Sequence, residues 1–229
     1  MGQLPLALRL EGAARFETFV AETNDSAVAH IDAVARGGRA DIVWLWGPAG
    51  QGKSHLLQAA CRAAGEAGRR AMYLALDPAE APGADLLVGL DGLDLLALDQ
   101  VDRVAGRQAW DARLFSVLNG CQMKGTGAVL AARCSPAACP FSLADLASRA
   151  AGAIVYRLAD LSERGRLEAL MTHARYRGLE LDRNAAGYLL SRVSRDMGEI
   201  CRWLDELDRA SLAAQRRITI PLIRSALAR

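Results

Sequence analysis

Residues 47–54, Gly-Pro-Ala-Gly-Gln-Gly-Lys-Ser, constrain what this chain can fold into more than any other stretch of it. They follow a short apolar run, Ile42–Trp46, and precede a helical pattern from Lys53 to Ala67, closed by Gly68. A glycine-rich loop between a strand and a helix turns its backbone N–H groups inward. The helix then presents the positive end of its dipole to an anion. In that setting Gly47, Pro48, Ala49, Gly50, Gln51 and Gly52 form a phosphate cradle, Lys53 reaches the β- and γ-phosphates, and the Ser54 hydroxyl ligates Mg2+. His55 follows directly and is grouped with the nucleotide-contacting residues, although its expected place is against the helix rather than in any chemistry. A strand ending in a carboxylate is the usual second half of such a site. Leu95-Leu96-Ala97-Leu98-Asp99 supplies it, so Asp99 is read as the second group directed at magnesium.

The pattern around the loop predicts a layered α/β domain. Further apolar runs at 71–76, 93–98, 128–132 and 154–158 read as strands, and 108–123 reads as a helix. Strands alternating with helices imply parallel pairing through right-handed crossovers, hence a three-layer αβα sandwich. After Leu158 the strand signal fades. Ser162 is placed to cap a helix running to about Arg177, and Asp182 a second ending near Val193. Ile200, Trp203, Leu204, Leu207, Ser211 and Ala214 fall on one stripe of a third. Thr219 opens a fourth, with Pro221 tolerated in its first turn. The predicted organisation is a tail at 1–12, the nucleotide-binding domain at 13–158 and a small helical bundle at 159–229.

Composition narrows the functional classes. With 28 basic and 26 acidic residues the net charge is +2, whereas a chain held on DNA by its own charge shows a clear basic excess. Direct sequence-specific DNA binding is therefore not expected. Five scattered cysteines lack zinc-ligand spacing and read as reduced thiols. No apolar run is long enough to span a bilayer, and the start does not read as a signal peptide. The expected protein is soluble and cytoplasmic. Trp44 and Trp46 read as core or sheet-edge residues, and His30 and His173 have no metal-ligand spacing.

Several segments together resemble the bacterial replication initiator DnaA, an AAA+ ATPase. The resemblance is carried by GPAGQGKSHLLQAA (Gly47 to Ala60), RFETFV (Arg15 to Val20), LLALDQ (Leu95 to Gln100), DLASR (Asp145 to Arg149) and RRITIPLIRSAL (Arg216 to Leu227), and it spans nearly all of the chain from about residue 14. It implies an AAA+ fold with a helical lid. Three departures from an initiator point to Hda, the paralogue family that inactivates DnaA after replication starts. The sequence stops where the initiator's helix-turn-helix domain would follow, has too little chain between Tyr73 and Leu95 for the initiator's extra helical insertion, and begins with a short tail. In that tail Gln3-Leu4-Pro5-Leu6-Ala7-Leu8 resembles the peptide by which replication proteins bind the sliding clamp (the β subunit of DNA polymerase III). In an extended segment Leu6 and Leu8 project to one side, while Gln3 offers its amide and Leu4 lies beside them. Pro5 favours the extended form before binding.

The resemblance also implies a division of labour. Arg149 matches the arginine that AAA+ subunits offer in trans to a neighbour's γ-phosphate, so DnaA is the expected partner and Arg149 the catalytic residue. Gln100 stands where a second acid commonly polarises water. It cannot accept a proton at neutral pH, and Asp102 is the nearest substitute. The family's sensor arginine falls at Gly198, with Arg195 and Arg202 as neighbours, and the first-sensor position reads Ala131-Ala132-Arg133. Both changes remove preference for ATP over ADP, so ADP with Mg2+ is the expected resident nucleotide, ATP the alternative. A homo-oligomer stays open. Rival readings are a stand-alone P-loop ATPase or kinase and a DnaA-like helicase loader.

Overall fold

A computed structural model describes residues 14–79, 83–90, 92–214 and 217–228. The tail with Gln3, Leu4, Leu6 and Leu8 lies outside these described residues. The chain divides into two compact units. The first gathers the segment up to Phe16, Asn24–Pro48 and Lys53–Leu158. The second gathers Ala159–Arg229 together with Glu17–Thr23 and Ala49–Gly52.

The first unit is built on five parallel strands: β1 (Ile42–Trp46), β2 (Ala71–Ala75), β3 (Leu95–Asp99), β4 (Gly127–Ala132) and β5 (Ile154–Arg157), in the order β2-β3-β4-β1-β5. Its helices are α1 (Asp25–Ala35), α2 (Lys53–Glu66), α3 (Gln108–Lys124) and α4 (Ala144–Ala151). Strand side chains alternate between faces. Trp44, Leu96, Leu98, Leu130 and Ala132 therefore join Leu114, Leu118 and Leu146 of α3 and α4 in one core. The opposite phase of the strands faces α1 and α2, and α2 packs on β2, β3 and β4. The buried Ala59, Ala60, Ala63 and Ala64 give α2 a smooth inner surface for that approach.

β3 and β4 are buried at every position, as expected of central parallel strands covered on both faces. Ile154 and Val155 on the edge strand β5 remain exposed, at 36% and 42%. Trp44 is wholly buried, and Trp46 carries the Arg157 guanidinium 5.2 Å above its ring. Arg69 donates to the last carbonyls of α1, Val34 and Ala35, and to Asp94 O at the entry to β3. A cation is well placed there, because the terminal carbonyls of a helix have no intrahelical partner.

The second unit holds α5 (Glu163–Tyr176), α6 (Arg183–Leu190), α7 (Met197–Ala214) and α8 (Ile220–Leu227). Ser162 Oγ accepts from Gly165 N at 2.9 Å and Asp182 Oδ1 from Ala185 N at 2.8 Å, the two caps read from sequence. α6 stops at Leu190, short of Val193, where Ser191 turns its hydroxyl onto the Tyr188 carbonyl. Leu170, Leu189, Ile200, Leu204, Leu207 and Ile223 form the core of the unit. The predicted stripe on α7 is thus the buried one at Ile200, Leu204 and Leu207. Leu204→Ala would open a cavity costing about 2–5 kcal/mol. Helices α1 and α4 are not delimited by the sequence pattern; both are short and rich in alanine.

All five cysteines are free thiols. Burial pushes Cys61 up to about 12 and Cys121 up to about 11. No helix among the described residues is long and apolar enough to cross a membrane.

Candidate nucleotide site

The phosphate loop contributes residues to both units. In the first, Lys53 opens α2 and folds its ammonium back onto the loop, donating to Gly47 O at 2.6 Å and Pro48 O at 2.5 Å. The charge is therefore held on the loop by neutral carbonyls, which an arriving phosphate can displace, because its bond to the ammonium is the stronger, charge-assisted one. Ser54 follows in an exposed position, as the setting of the motif requires.

Asp99 ends β3 and is only 2% exposed. Its Oδ2 accepts from the Tyr73 hydroxyl and its Oδ1 from Gln100 N, both at 2.8 Å. Ser54 and the buried Gln58 lie beside the Tyr73 hydroxyl. Register explains the grouping. Tyr73 on β2 stands opposite Ala97, and Asp99 lies two residues further along β3, so the two point to the same face. Ser54 and Gln58 are four residues apart on α2 and share the helix face above them. A buried carboxylate hydrogen-bonded by neutral donors, with a serine hydroxyl on the neighbouring helix, is a donor set that suits a small hard cation such as Mg2+. The residues present thus fit the expected metal, with Ser54 and Asp99 as its protein partners. No cluster of three or more His, Cys, Asp or Glu suited to a metal occurs among the described residues, so phosphate oxygens and water would complete the coordination.

Gln100 adopts the left-handed conformation (φ 60°) and its side-chain carbonyl accepts from Arg103, which also pairs with Asp77. Asp102, the substitute acid considered from sequence, accepts from Arg133 N at 3.0 Å at the end of β4. His55 places Nε2 2.8 Å from the Arg15 carbonyl. With Arg62 on Ala14 O and Arg15 on Glu66, it fastens the segment before Phe16 to α2. Burial lowers the pKa of His55, and the carbonyl contact opposes that shift.

In the second unit the middle of the loop is bound tightly. Gly50 O accepts from Met197 N at 3.3 Å. Gly50 has φ +78°, and a β-carbon there would stand 2.6 Å from the Asp196 carboxylate, so only glycine fits on both counts. Gly52, at φ +84°, is pressed in the same way by the Phe19 ring. Gln51 donates to Asp160 Oδ1 at 2.8 Å, while its Oε1 is buried without a hydrogen-bond partner among the described residues. Asp196 also caps α7, its Oδ1 accepting from Glu199 N at 3.1 Å. Gly198 offers no side chain here. Arg195 lies in a loose 4.0 Å pair with Glu163, and Arg202 is exposed. Sequence reasoning singles out neither Asp196, Phe19 nor Tyr73. The loop motif carries no signal for them, because each reaches the site through packing.

Arg149 stands in the last turn of α4, partly buried, and donates to Asn119 Oδ1 on α3 at 2.8 Å. It forms no ion pair among the described residues. It borders a cavity of about 520 Å³ lined also by Asp41, Ile42, Phe115, Gln122 and Asp145. The guanidinium is thus oriented by a neutral amide, and no described carboxylate neutralises it by direct contact.

Comparison with known proteins agrees with this architecture. Domain III of the Thermotoga maritima replication initiation protein DnaA superposes with a TM-score of 0.80 at 19% identity, over 95% of this chain and 96% of that one. The replication initiator DnaA bound to AMPPCP and single-stranded DNA gives 0.69 at 21% identity, over 90% and 69%. AMPPCP-bound DnaA from Aquifex aeolicus gives 0.68 at 22%, over 89% and 74%. At such identities these likenesses establish the AAA+ fold. Residues 163–227 match the family described as Hda, lid domain. The chain thus joins a sheet domain of this fold to a C-terminal helical unit that the Hda lid family matches over residues 163–227.

Proposed function

We propose that this protein regulates chromosome replication by inactivating DnaA. It would bind ADP, or ATP, with Mg2+ in its own loop, dock on the sliding clamp through Gln3, Leu4, Leu6 and Leu8, and lend Arg149 to the ATP held by DnaA. The observation that carries the reading is the match of residues 163–227 to the Hda lid domain. It favours the Hda family over an initiator of the same fold.

The chemistry asked of Arg149 is charge stabilisation. As the γ-phosphoryl leaves, negative charge spreads over its oxygens, and a guanidinium presented in trans by a neighbour accelerates the step by about 10³–10⁵. Arg149 suits that role because Asn119 orients it without neutralising it. The nucleotide in the protein's own loop has a different task. Gly47, Pro48, Ala49, Gly50, Gln51, Gly52, Lys53 and Ser54 hold its phosphates, and Mg2+ on Ser54 and Asp99 would offset their charge. Hydrolysis there is disfavoured by Gln100, which accepts no proton, and by the engagement of Asp102 with Arg133 N. Preference for ADP is supported by the bare Gly198 and by the Asp196 carboxylate lying against Gly50, since added negative charge opposes a third phosphate.

The test is an ATPase assay with purified DnaA, clamp and DNA. Hydrolysis of DnaA-bound ATP should rise only when this protein, the clamp and DNA are all present. Rapid turnover by this protein alone, with no effect on DnaA in the full mixture, would support the stand-alone enzyme instead. Tight, salt-sensitive DNA affinity would support a helicase loader.

A further inference from the structure

We propose that Glu22 is a positioning residue for nucleotide binding: it clasps the segment Glu17–Thr23 to the start of α5 and so holds Phe19 against the phosphate loop. The proposal rests on the nucleotide-binding reading above and adds a residue that the loop motif does not contain. Glu22, Phe19, Gly52, Ser162 and Gly165 all belong to the second unit.

Glu22 has φ 45°, in the left-handed region that residues with a side chain seldom adopt. Such a conformation persists where the surroundings over-determine it, and here the side chain supplies the constraint. Its Oε2 accepts from Ser162 N at 2.9 Å and its Oε1 from the Ser162 hydroxyl at 2.6 Å. The same hydroxyl oxygen accepts from Gly165 N at 2.9 Å. The carboxylate therefore ends a chain of hydrogen bonds that begins at an N–H of the first turn of α5, where the positive end of the helix favours a negative charge. Gly165 completes the clasp. Glycine is a poor helix former, yet a β-carbon at 165 would stand 2.5 Å from the Glu22 carboxyl carbon. The obstacle is the end of a side chain, so alanine there displaces the carboxylate rather than the helix.

Earlier in the same segment, the Phe19 ring lies 2.6 Å from where a β-carbon of Gly52 would be. The loop reaches the approach to α5 by a second route, since Gln51 donates to Asp160 at 2.8 Å just before Ser162. The contacts close a ring: from Gly52 to Phe19, along the chain to Glu22, across to Ser162, back to Asp160 and across to Gln51. Opening the ring at Glu22 releases Phe19 from Gly52 and lets the middle of the loop leave its phosphate-ready shape. Nucleotide affinity then falls in proportion to the fraction of time that the cradle is formed.

The test uses Glu22→Gly, Gly165→Ala and the double variant in the full chain. ADP affinity is measured by isothermal titration, and hydrogen exchange of residues 50–52 is followed in nucleotide-free protein. Glu22→Gly opens the clasp and relieves the left-handed backbone, while Gly165→Ala displaces the carboxylate and favours the helix. In both, the local backbone becomes easier to adopt, so a loss of binding is not a loss of fold. Each single variant should raise the Kd for ADP by about three- to tenfold and speed exchange of the loop by a similar factor. The double variant should bind no more weakly than Glu22→Gly alone, because the new β-carbon then has nothing to displace. Affinities within about twofold of wild type in the single variants, or losses that multiply in the double variant, would overturn the proposal. Weakened ADP binding with unchanged loop exchange would also overturn it, since the loop would then keep its shape without the clasp. Wild-type protein that binds no ADP would remove the nucleotide reading itself, and the proposal with it.

Discussion

Arg149→Ala separates what this arginine does for its own fold from the role proposed for it towards a partner. Within the fold it donates one hydrogen bond, 2.8 Å to the neutral Asn119 amide, from a partly exposed position and with no ion pair among the described residues. Losing such a bond costs about 1 kcal/mol. For a chain of this size that lowers Tm by about 2–4 °C. The functional loss has another scale. If the guanidinium supplies about 10³–10⁵ in rate to DnaA, its removal raises the barrier by about 4–7 kcal/mol, at roughly 1.36 kcal/mol per decade. The assay is release of phosphate from DnaA-bound ATP with saturating clamp and DNA, alongside a thermal melt of the variant alone. The expected result is near-complete loss of stimulation with a small Tm shift and unchanged clamp binding. Arg149→Lys should remain strongly impaired, because an ammonium lacks the planar fork. Stimulation by Arg149→Ala within about threefold of wild type, a difference of under about 1 kcal/mol, would refute the role assigned to it.

Replacing Gln3, Leu6 and Leu8 together by Ala should abolish clamp binding in surface plasmon resonance and leave ADP affinity unchanged. Asp196→Asn keeps an α7 cap of similar quality but removes the charge beside Gly50. Isothermal titration should show ATP affinity rising relative to ADP, and an unchanged ratio would remove the electrostatic argument. Glu22 accepts from the Ser162 hydroxyl and amide, which hold its carboxyl below the ordinary value of 4.5. Its contribution to stability is therefore fully present above pH 4.5 and is lost as pH falls through the lowered value. Glu22→Gln should flatten the acid limb of a thermal-stability profile in that window.

Much of the sheet is legible in the sequence because its strands are short, buried runs between helices. Ile42–Trp46 is a strand as read, and the other four shift by no more than two residues at either end. The caps at Ser162 and Asp182 are equally readable, since a capping side chain acts on N–H groups only three residues away. Helix α4 leaves no such trace although it carries Arg149; eight residues rich in alanine give too little periodic signal. His55 joins the cradle by its position alone, and the structure gives its ring nitrogen the Arg15 carbonyl.

What the sequence by itself determined is the phosphate loop, its lysine and serine, the carboxylate at the end of β3 and the alternation that makes the sheet parallel. These depend on neighbours within a few residues, where motif and period are informative. What only the tertiary structure decided is which distant side chains close on that loop. Tyr73 meets Asp99 because two parallel strands adopt one register, and a shift of one residue would turn the phenol to the opposite face. Asp196 meets Gly50, and Phe19 meets Gly52, across more than thirty residues of chain, brought together by packing that no local pattern encodes.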